Sequence, residues 1–90
     1  MNPATRAERL RARLEQHFAP QELIIEDESH KHAGHAGAAG GHGHFRVRIV
    51  ADAFRGISPL ARHRQVYAAL GDLMKTDIHA LQVEALAPPG

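Results

Sequence analysis

One stretch of this 90-residue chain cannot contribute to a hydrophobic core, and it separates the parts that can. Residues 28–45 read ESHKHAGHAGAAGGHGHF and contain five of the eight histidines, separated mainly by glycine and alanine. Such a segment has almost no apolar bulk to bury, so burial cannot offset the entropy lost on ordering it. We therefore predict one domain, residues 1–90, with a flexible His/Gly-rich loop at 29–43 and a tail at 87–90.

The composition excludes several classes of function. Eleven basic and ten acidic residues give a net charge of +1, so nucleic-acid binding would need locally clustered charge. The absence of cysteine excludes disulfides and any thiolate metal site built by this chain alone. No apolar run approaches the roughly 20 residues that span a bilayer, and the polar start does not resemble a secretory signal. These features predict a cytoplasmic protein without a membrane partner.

The first ordered segment is predicted to be a helix. Thr5 and Glu8 have the spacing of a capping box. Apolar residues then follow at helical spacing and form one stripe, namely Ala7, Leu10, Leu14 and Phe18. Pro20 ends the helix. The arginines between these positions are interpreted as a solvated face rather than a phosphate-binding one.

Two strands are predicted on either side of the loop. Residues 23–27 begin with β-branched and aliphatic residues and end in acids. Residues 45–50 alternate, with Phe45, Val47 and Ile49 on one face and His44, Arg46 and Arg48 on the other. Because no crossover helix joins these strands, they should pair antiparallel.

The second half of the chain predicts a helix and a last strand. Gly56 is suited to a turn, and Ser58-Pro59 is typical of a helix start. The buried face of this helix is predicted to contain Val66, Tyr67, Leu70, Leu73 and Met74, with an interruption at Gly71 and an optional short turn after it. The last strand covers 78–85, with Leu81 and Val83 inward. A helix joins the last two strands, so they should run parallel through a right-handed crossover.

The predicted fold class is therefore α+β. The order is α-β-β-α-(α)-β, and helices cover one face of a three-stranded mixed sheet. The open face would then carry His44, Arg46 and Arg48.

The histidines are the main candidates for chemistry. Enzyme activity is not expected, because the chain has no cysteine, no His-Glu-x-x-His motif and no phosphate loop. The loop histidines are interpreted either as metal ligands or as part of a solvated linker, and composition does not separate the two. His63 is expected to be a packing residue. His79 lies at the start of the last strand, where it could point toward the loop.

The basic segment Arg62-His63-Arg64 also has two interpretations. Arginine binds phosphate or carboxylate through two parallel hydrogen bonds, which favours anion recognition. The alternative is an ordinary charged first turn of a surface helix.

Longer motifs go beyond these general signals. They are DESHKH at 27–32, GHFRV at 43–47, FRGISPLARHRQVY at 54–67 and IHAL at 78–81. Together they resemble the BolA family from about the first helix to the last strand.

This resemblance implies a fold similar to a type II KH domain and a non-catalytic role with monothiol glutaredoxins in iron–sulfur cluster trafficking. A [2Fe–2S] cluster would be shared with the glutaredoxin and glutathione. The implied ligands are His79, before the last strand, and a loop residue best matched by His32. Alternative ligands are His30, His35, His42 and His63.

Two other functions are carried as alternatives. BolA-like proteins are also described as DNA-binding regulators. The candidate residues for binding nucleic acid, or alternatively a partner protein, are Arg46, Arg48, Arg55, Arg62, His63 and Arg64. The third hypothesis is zinc or nickel buffering by the His-rich loop alone.

Overall fold

The computed structural model describes residues 5–28 and 43–89, and all statements about structure concern these ranges. The helices and strands, in chain order, are α1 (Arg6–Phe18), β1 (Glu22–Asp27), β2 (Gly43–Val50), a 3-10 turn (Asp52–Phe54), α2 (Pro59–Leu70), α3 (Leu73–Thr76) and β3 (Ile78–Leu86). This order confirms the predicted α+β class, including the optional short helix. Gly43 belongs to β2, so the predicted loop boundary is one residue too late, and residues 29–42 lie outside the described ranges.

The capping box of α1 is confirmed. The Thr5 hydroxyl accepts a hydrogen bond from the backbone N–H of Glu8 at 3.1 Å, and the Glu8 carboxylate accepts one from the backbone N–H of Thr5 at 2.8 Å. These bonds satisfy N–H groups that a helix start leaves without partners. They also lower the pKa of Glu8. The predicted stripe is confirmed as well, because Leu10, Leu14 and Phe18 are buried.

Two arginines of α1 donate hydrogen bonds to backbone carbonyl oxygens of other elements. Arg11 donates to the carbonyl oxygen of Leu23 in β1 at 3.0 Å. Arg13 donates to the carbonyl oxygens of Ala69 and Leu70 at 3.3 and 3.1 Å, where α2 ends. The last carbonyls of a helix lack intrahelical partners, so Arg13 supplies one. These two arginines therefore also connect α1 to β1 and to the end of α2.

The sheet has the predicted mixed topology. Its strand order is β1-β2-β3, with β1 antiparallel to β2 and β2 parallel to β3. Along β2, Phe45, Val47 and Ile49 are buried in the core, whereas Arg46 and Arg48 are exposed on the open face. Side chains alternate between the two faces of a strand, so the helices cover only the apolar set of Phe45, Val47 and Ile49.

Helix α2 begins and ends as the sequence predicts, but one buried position is wrong. The Ser58 hydroxyl accepts a hydrogen bond from the backbone N–H of Ala61 at 3.3 Å, and Gly71, with φ of 51°, ends the helix. The sequence predicts Tyr67 on the buried face, whereas in the structure it is 38% exposed. The core-facing residues of α2 are Val66, Ala69 and Leu70. A helix turns by about 100° per residue, which carries Tyr67 to the edge of that face.

The core joins the helices to the covered face of the sheet. Phe54 of the 3-10 turn is fully buried, and its ring centroid lies 5.0 Å from that of Phe18 in α1. Within the predicted tail, Ala87 packs against the core and Pro88 is buried. The residues just after β3 therefore contribute to the fold.

Candidate metal centre

A β-bulge determines where His79 points. Gly43 pairs with Ile78 and His44 pairs with Ala80, so one step along β2 matches two steps along β3. His79 is therefore the extra residue of β3. Further along the strand, Leu81 and other odd-numbered positions turn toward the core, and a regular strand would turn His79 the same way. The bulge exposes His79 instead, as bulges commonly do when they redirect a side chain.

The bulge brings His79 beside His44. The two imidazole rings have centroids 5.1 Å apart and planes inclined by 41°. His44 is half-buried, and a shallow depression beside it is lined by Glu28, Phe45, Ala80 and Gln82. Two nitrogen donors therefore lie together on the open face.

Glu28 joins this region through its backbone and its side chain. Its backbone N–H donates to the His44 carbonyl oxygen at 2.7 Å, which continues the β1–β2 pairing by one residue. Its side chain is 19% exposed, and its carboxylate lies 3.9 Å from the Arg46 guanidinium. The negative charge beside the histidines is thus partly offset by a neighbouring positive charge.

An ion pair holds the turn that precedes His79. The Arg9 guanidinium donates to the Asp77 carboxylate at 2.7 Å, and this bond lowers the pKa of Asp77. The backbone carbonyl oxygen of Asp77 accepts from the N–H of Gly43 at 2.9 Å. Helix α1 and strand β2 thereby both anchor the residue two positions before His79.

Not all of the predicted ligands can be placed. His32, His30, His35 and His42 lie outside the described residues. His63 lies half-buried on α2, as a packing residue would. Within residues 5–28 and 43–89, no cluster of three or more histidine, cysteine or acidic side chains could hold a metal ion.

The arginines of the sheet are paired within the protein. Arg48 lies between two carboxylates, 3.3 Å from Glu22 and 2.8 Å from Glu84, and these partners raise its pKa. Arg46 donates to the side-chain oxygen of Gln82 at 3.1 Å. The open face thus carries alternating charges rather than a basic patch.

The arginines around α2 differ in exposure. Arg62 donates to the carbonyl oxygens of Ile57 and Ala85 at 2.7 and 3.1 Å, so it joins the start of α2 to β3. Arg55 bonds the Asp52 carboxylate at 2.7 Å. Arg64 is exposed on α2. Arg62 is therefore held by contacts within the fold, whereas Arg64 is exposed.

His44 is the site residue that sequence reasoning did not recognise as a candidate ligand. The alternation of β2 correctly predicted its face, but nothing linked it to His79. The sequence indicated the proximity of His44 and His79 only indirectly. A parallel pairing of β2 with the last strand brings GHF at 43–45 beside IHA at 78–80, and a bulge then brings both imidazoles to one face.

The fold and the paired histidines define a small α+β domain with two neighbouring imidazoles on the open face of its sheet, and comparisons identify its relatives. The family model for BolA-like protein matches residues 14–89. The chain is 47% identical over 89 residues to SufE-like protein 1 of Arabidopsis thaliana, and 44% identical over 79 residues to BolA-like protein 1 of Mus musculus. The matches cover 93% and 88% of this chain, but only 24% and 56% of those relatives.

Solved structures agree with this match. The BolA domain of SufE1 from Arabidopsis thaliana superposes with a TM-score of 0.81 at 44% identity, covering 97% of this chain and 96% of that one. BolA1 from the same organism gives a TM-score of 0.83 at 41% identity, with the same coverage. The chain belongs to the BolA family.

Proposed function

We propose that the protein is a non-catalytic adaptor in iron–sulfur cluster trafficking that binds a monothiol glutaredoxin. The observation that carries the proposal is the exposed imidazole of His79, turned to the open face by the bulge. A buried histidine could not reach a cluster held by another protein. Membership of the BolA family adds support.

This chain can supply two of the four ligands that a [2Fe–2S] cluster needs. This chain contains no cysteine, so four-thiolate ligation by its own residues is excluded. Imidazoles can replace two thiolates on one iron, as in Rieske-type centres, and this replacement raises the reduction potential. His79 and a loop histidine, His32 first, would bind the shared [2Fe–2S] cluster, while thiolates come from the glutaredoxin and glutathione.

The cellular setting is part of this proposal. Within the described ranges, no helix is long and apolar enough to cross a membrane. We place the activity in the cytoplasm. Two relatives from Arabidopsis thaliana have other locations in their names: SufE-like protein 1 is named chloroplastic/mitochondrial, and BOLA1 is named chloroplastic. These names concern the relatives and not this chain.

The alternative of a DNA-binding regulator has less support. Phosphate binding needs accessible positive charge. Arg48 instead bonds two carboxylates, and Arg62 bonds two backbone carbonyls. Zinc or nickel buffering by the loop rests on residues outside the described ranges, so the structure adds nothing to that hypothesis.

The test is anaerobic co-purification with a monothiol glutaredoxin and glutathione, followed by visible circular dichroism. We expect a heterocomplex with a new cluster spectrum, which His79→Ala abolishes and His32→Ala alters. His17→Gln, on the exposed last turn of α1, is the matched control and should leave the spectrum intact. An unchanged spectrum in the His79→Ala complex would refute the assignment.

A further inference from the structure

We infer that His44 and His79 together form a chelating site for a divalent late transition metal, such as Zn²⁺, in the isolated protein. This site requires no glutaredoxin, no cluster and no loop histidine. It therefore goes beyond the proposed function and does not depend on it.

The spacing of the two rings agrees with a shared ion. A zinc–nitrogen bond is about 2.05 Å long, and the centre of an imidazole ring lies about 1.15 Å from its nitrogen. Two imidazoles bound to one tetrahedral zinc ion therefore have ring centroids about 5.2 Å apart. The observed separation of His44 and His79 is 5.1 Å. His79 is exposed, so its ring can turn toward the ion without disturbing the core.

The backbone supplies a second, independent observation. The register shift at Gly43/His44 makes His79 an extra residue, so both His79 and Ala80 are exposed in succession. A bulge leaves one residue outside the regular ladder and bends its strand. Here its result is to pair two imidazole side chains that regular pleating would have placed on opposite faces.

The surroundings indicate which cation fits. Imidazole nitrogen suits Zn²⁺, Cu²⁺ and Ni²⁺, whereas Mg²⁺ and Ca²⁺ need several oxygen ligands. Glu28 lines the depression beside His44, and its carboxylate lies 3.9 Å from the Arg46 guanidinium, so its charge is partly offset. Selectivity should therefore come from the two nitrogen donors. Water molecules or an external ligand would complete the coordination from the depression beside His44.

The test uses the full chain with His30, His32, His35 and His42 replaced by glutamine, which removes the loop as a source of ligands. Zn²⁺ is titrated by calorimetry at pH 7.5, where free imidazole, with a pKa of about 6.5, is neutral. We expect one equivalent to bind, with no binding of Mg²⁺. His44→Gln and His79→Gln in this background should each weaken Zn²⁺ binding at least about tenfold. Even the loss of a residue that only hydrogen-bonds to a metal ligand lowers metal affinity by about 10–100-fold. His17→Gln should not weaken it.

A second measurement does not depend on further variants. In the loop-substituted chain, Zn²⁺ should shift the imidazole nitrogen resonances of His44 and His79 together, and leave those of His17 unchanged. Absence of Zn²⁺ binding in this chain would overturn the inference. So would equal binding after His44→Gln, since the site requires both rings. Neither result affects the glutaredoxin complex, whose spectrum tests the proposed function separately.

Discussion

The imidazole of His79 lies 5.1 Å from that of His44, measured between ring centroids, because β3 contains one more residue than β2 at this point. An exposed ring outside the regular ladder contributes little to packing. We therefore expect His79→Ala to change the free energy of unfolding by less than about 0.5 kcal/mol, as for other surface substitutions. Urea denaturation measures this change. A loss of several kcal/mol would mean that His79 supports the fold and that spectral changes in its variants do not report ligation.

The core prediction concerns two leucines of opposite exposure. Leu14 is fully buried, and Leu14→Ala should lower the free energy of unfolding by about 2–5 kcal/mol through lost burial and a cavity. Leu60 is 62% exposed, and Leu60→Ala should change it by less than about 0.5 kcal/mol. Denaturation midpoints compare the two variants directly. Equal losses would contradict the assignment of Leu14 to the core.

The Arg9–Asp77 pair predicts a pH dependence of stability. Arg9 lowers the pKa of Asp77 in the folded state, so the pair stabilises the protein above the ordinary Asp pKa of about 3.9. That contribution disappears as the pH falls through the lowered folded-state pKa. Because Arg9 is 40% exposed, Asp77→Asn should cost only about 0.5–1 kcal/mol at pH 7.

Denaturation of the wild type and Asp77→Asn at a series of pH values measures this effect. The difference between them should shrink below pH 3.9. Glu15→Gln removes a looser pair with Arg11, at 3.6 Å with both side chains exposed, and is the matched control. A difference that stays constant from neutral to acid pH would show that Asp77 acts through something other than its charge.

Arg62 is predicted to support the fold rather than bind anions. Its guanidinium bonds two carbonyl oxygens in a fixed geometry, which the single ammonium of lysine does not reproduce. Arg62→Lys should therefore cost about 1–3 kcal/mol of unfolding free energy. Arg64→Lys, on the exposed side of α2, should cost less than about 0.5 kcal/mol. Thermal denaturation of both variants distinguishes them, and equal midpoints would argue against this role for Arg62.

Nucleic-acid binding should be weak and salt-dependent. The arginines of the open face are already paired with carboxylates or an amide, so few phosphates can be neutralised. We expect a Kd for duplex DNA no tighter than about 10⁻⁶ M at physiological salt, the range of non-specific binding. Fluorescence anisotropy over a salt series measures it. A Kd near 10⁻⁸ M with sequence preference would instead favour the regulator hypothesis.

Local sequence patterns determined most of the secondary structure. The capping box at Thr5 and Glu8, the Ser58-Pro59 helix start and the alternation from Phe45 to Ile49 each depend on a few neighbouring residues. Such patterns report helix starts and strand faces reliably because capping and pleating are local. Such patterns predicted burial of Tyr67, which is exposed, because the width of a buried helix face depends on what packs against it.

The candidate site was decided by the tertiary structure. In sequence, His44 and His79 are far apart, and the odd-numbered pattern of Leu81 and Val83 would turn His79 inward. Only the pairing of β2 with β3 shows the extra residue, because a bulge is a mismatch between two strands and not a property of either one. The sequence by itself determined the family, the order of helices and strands and the absence of thiolate ligands. The pairing of distant strands brought two of those donors together.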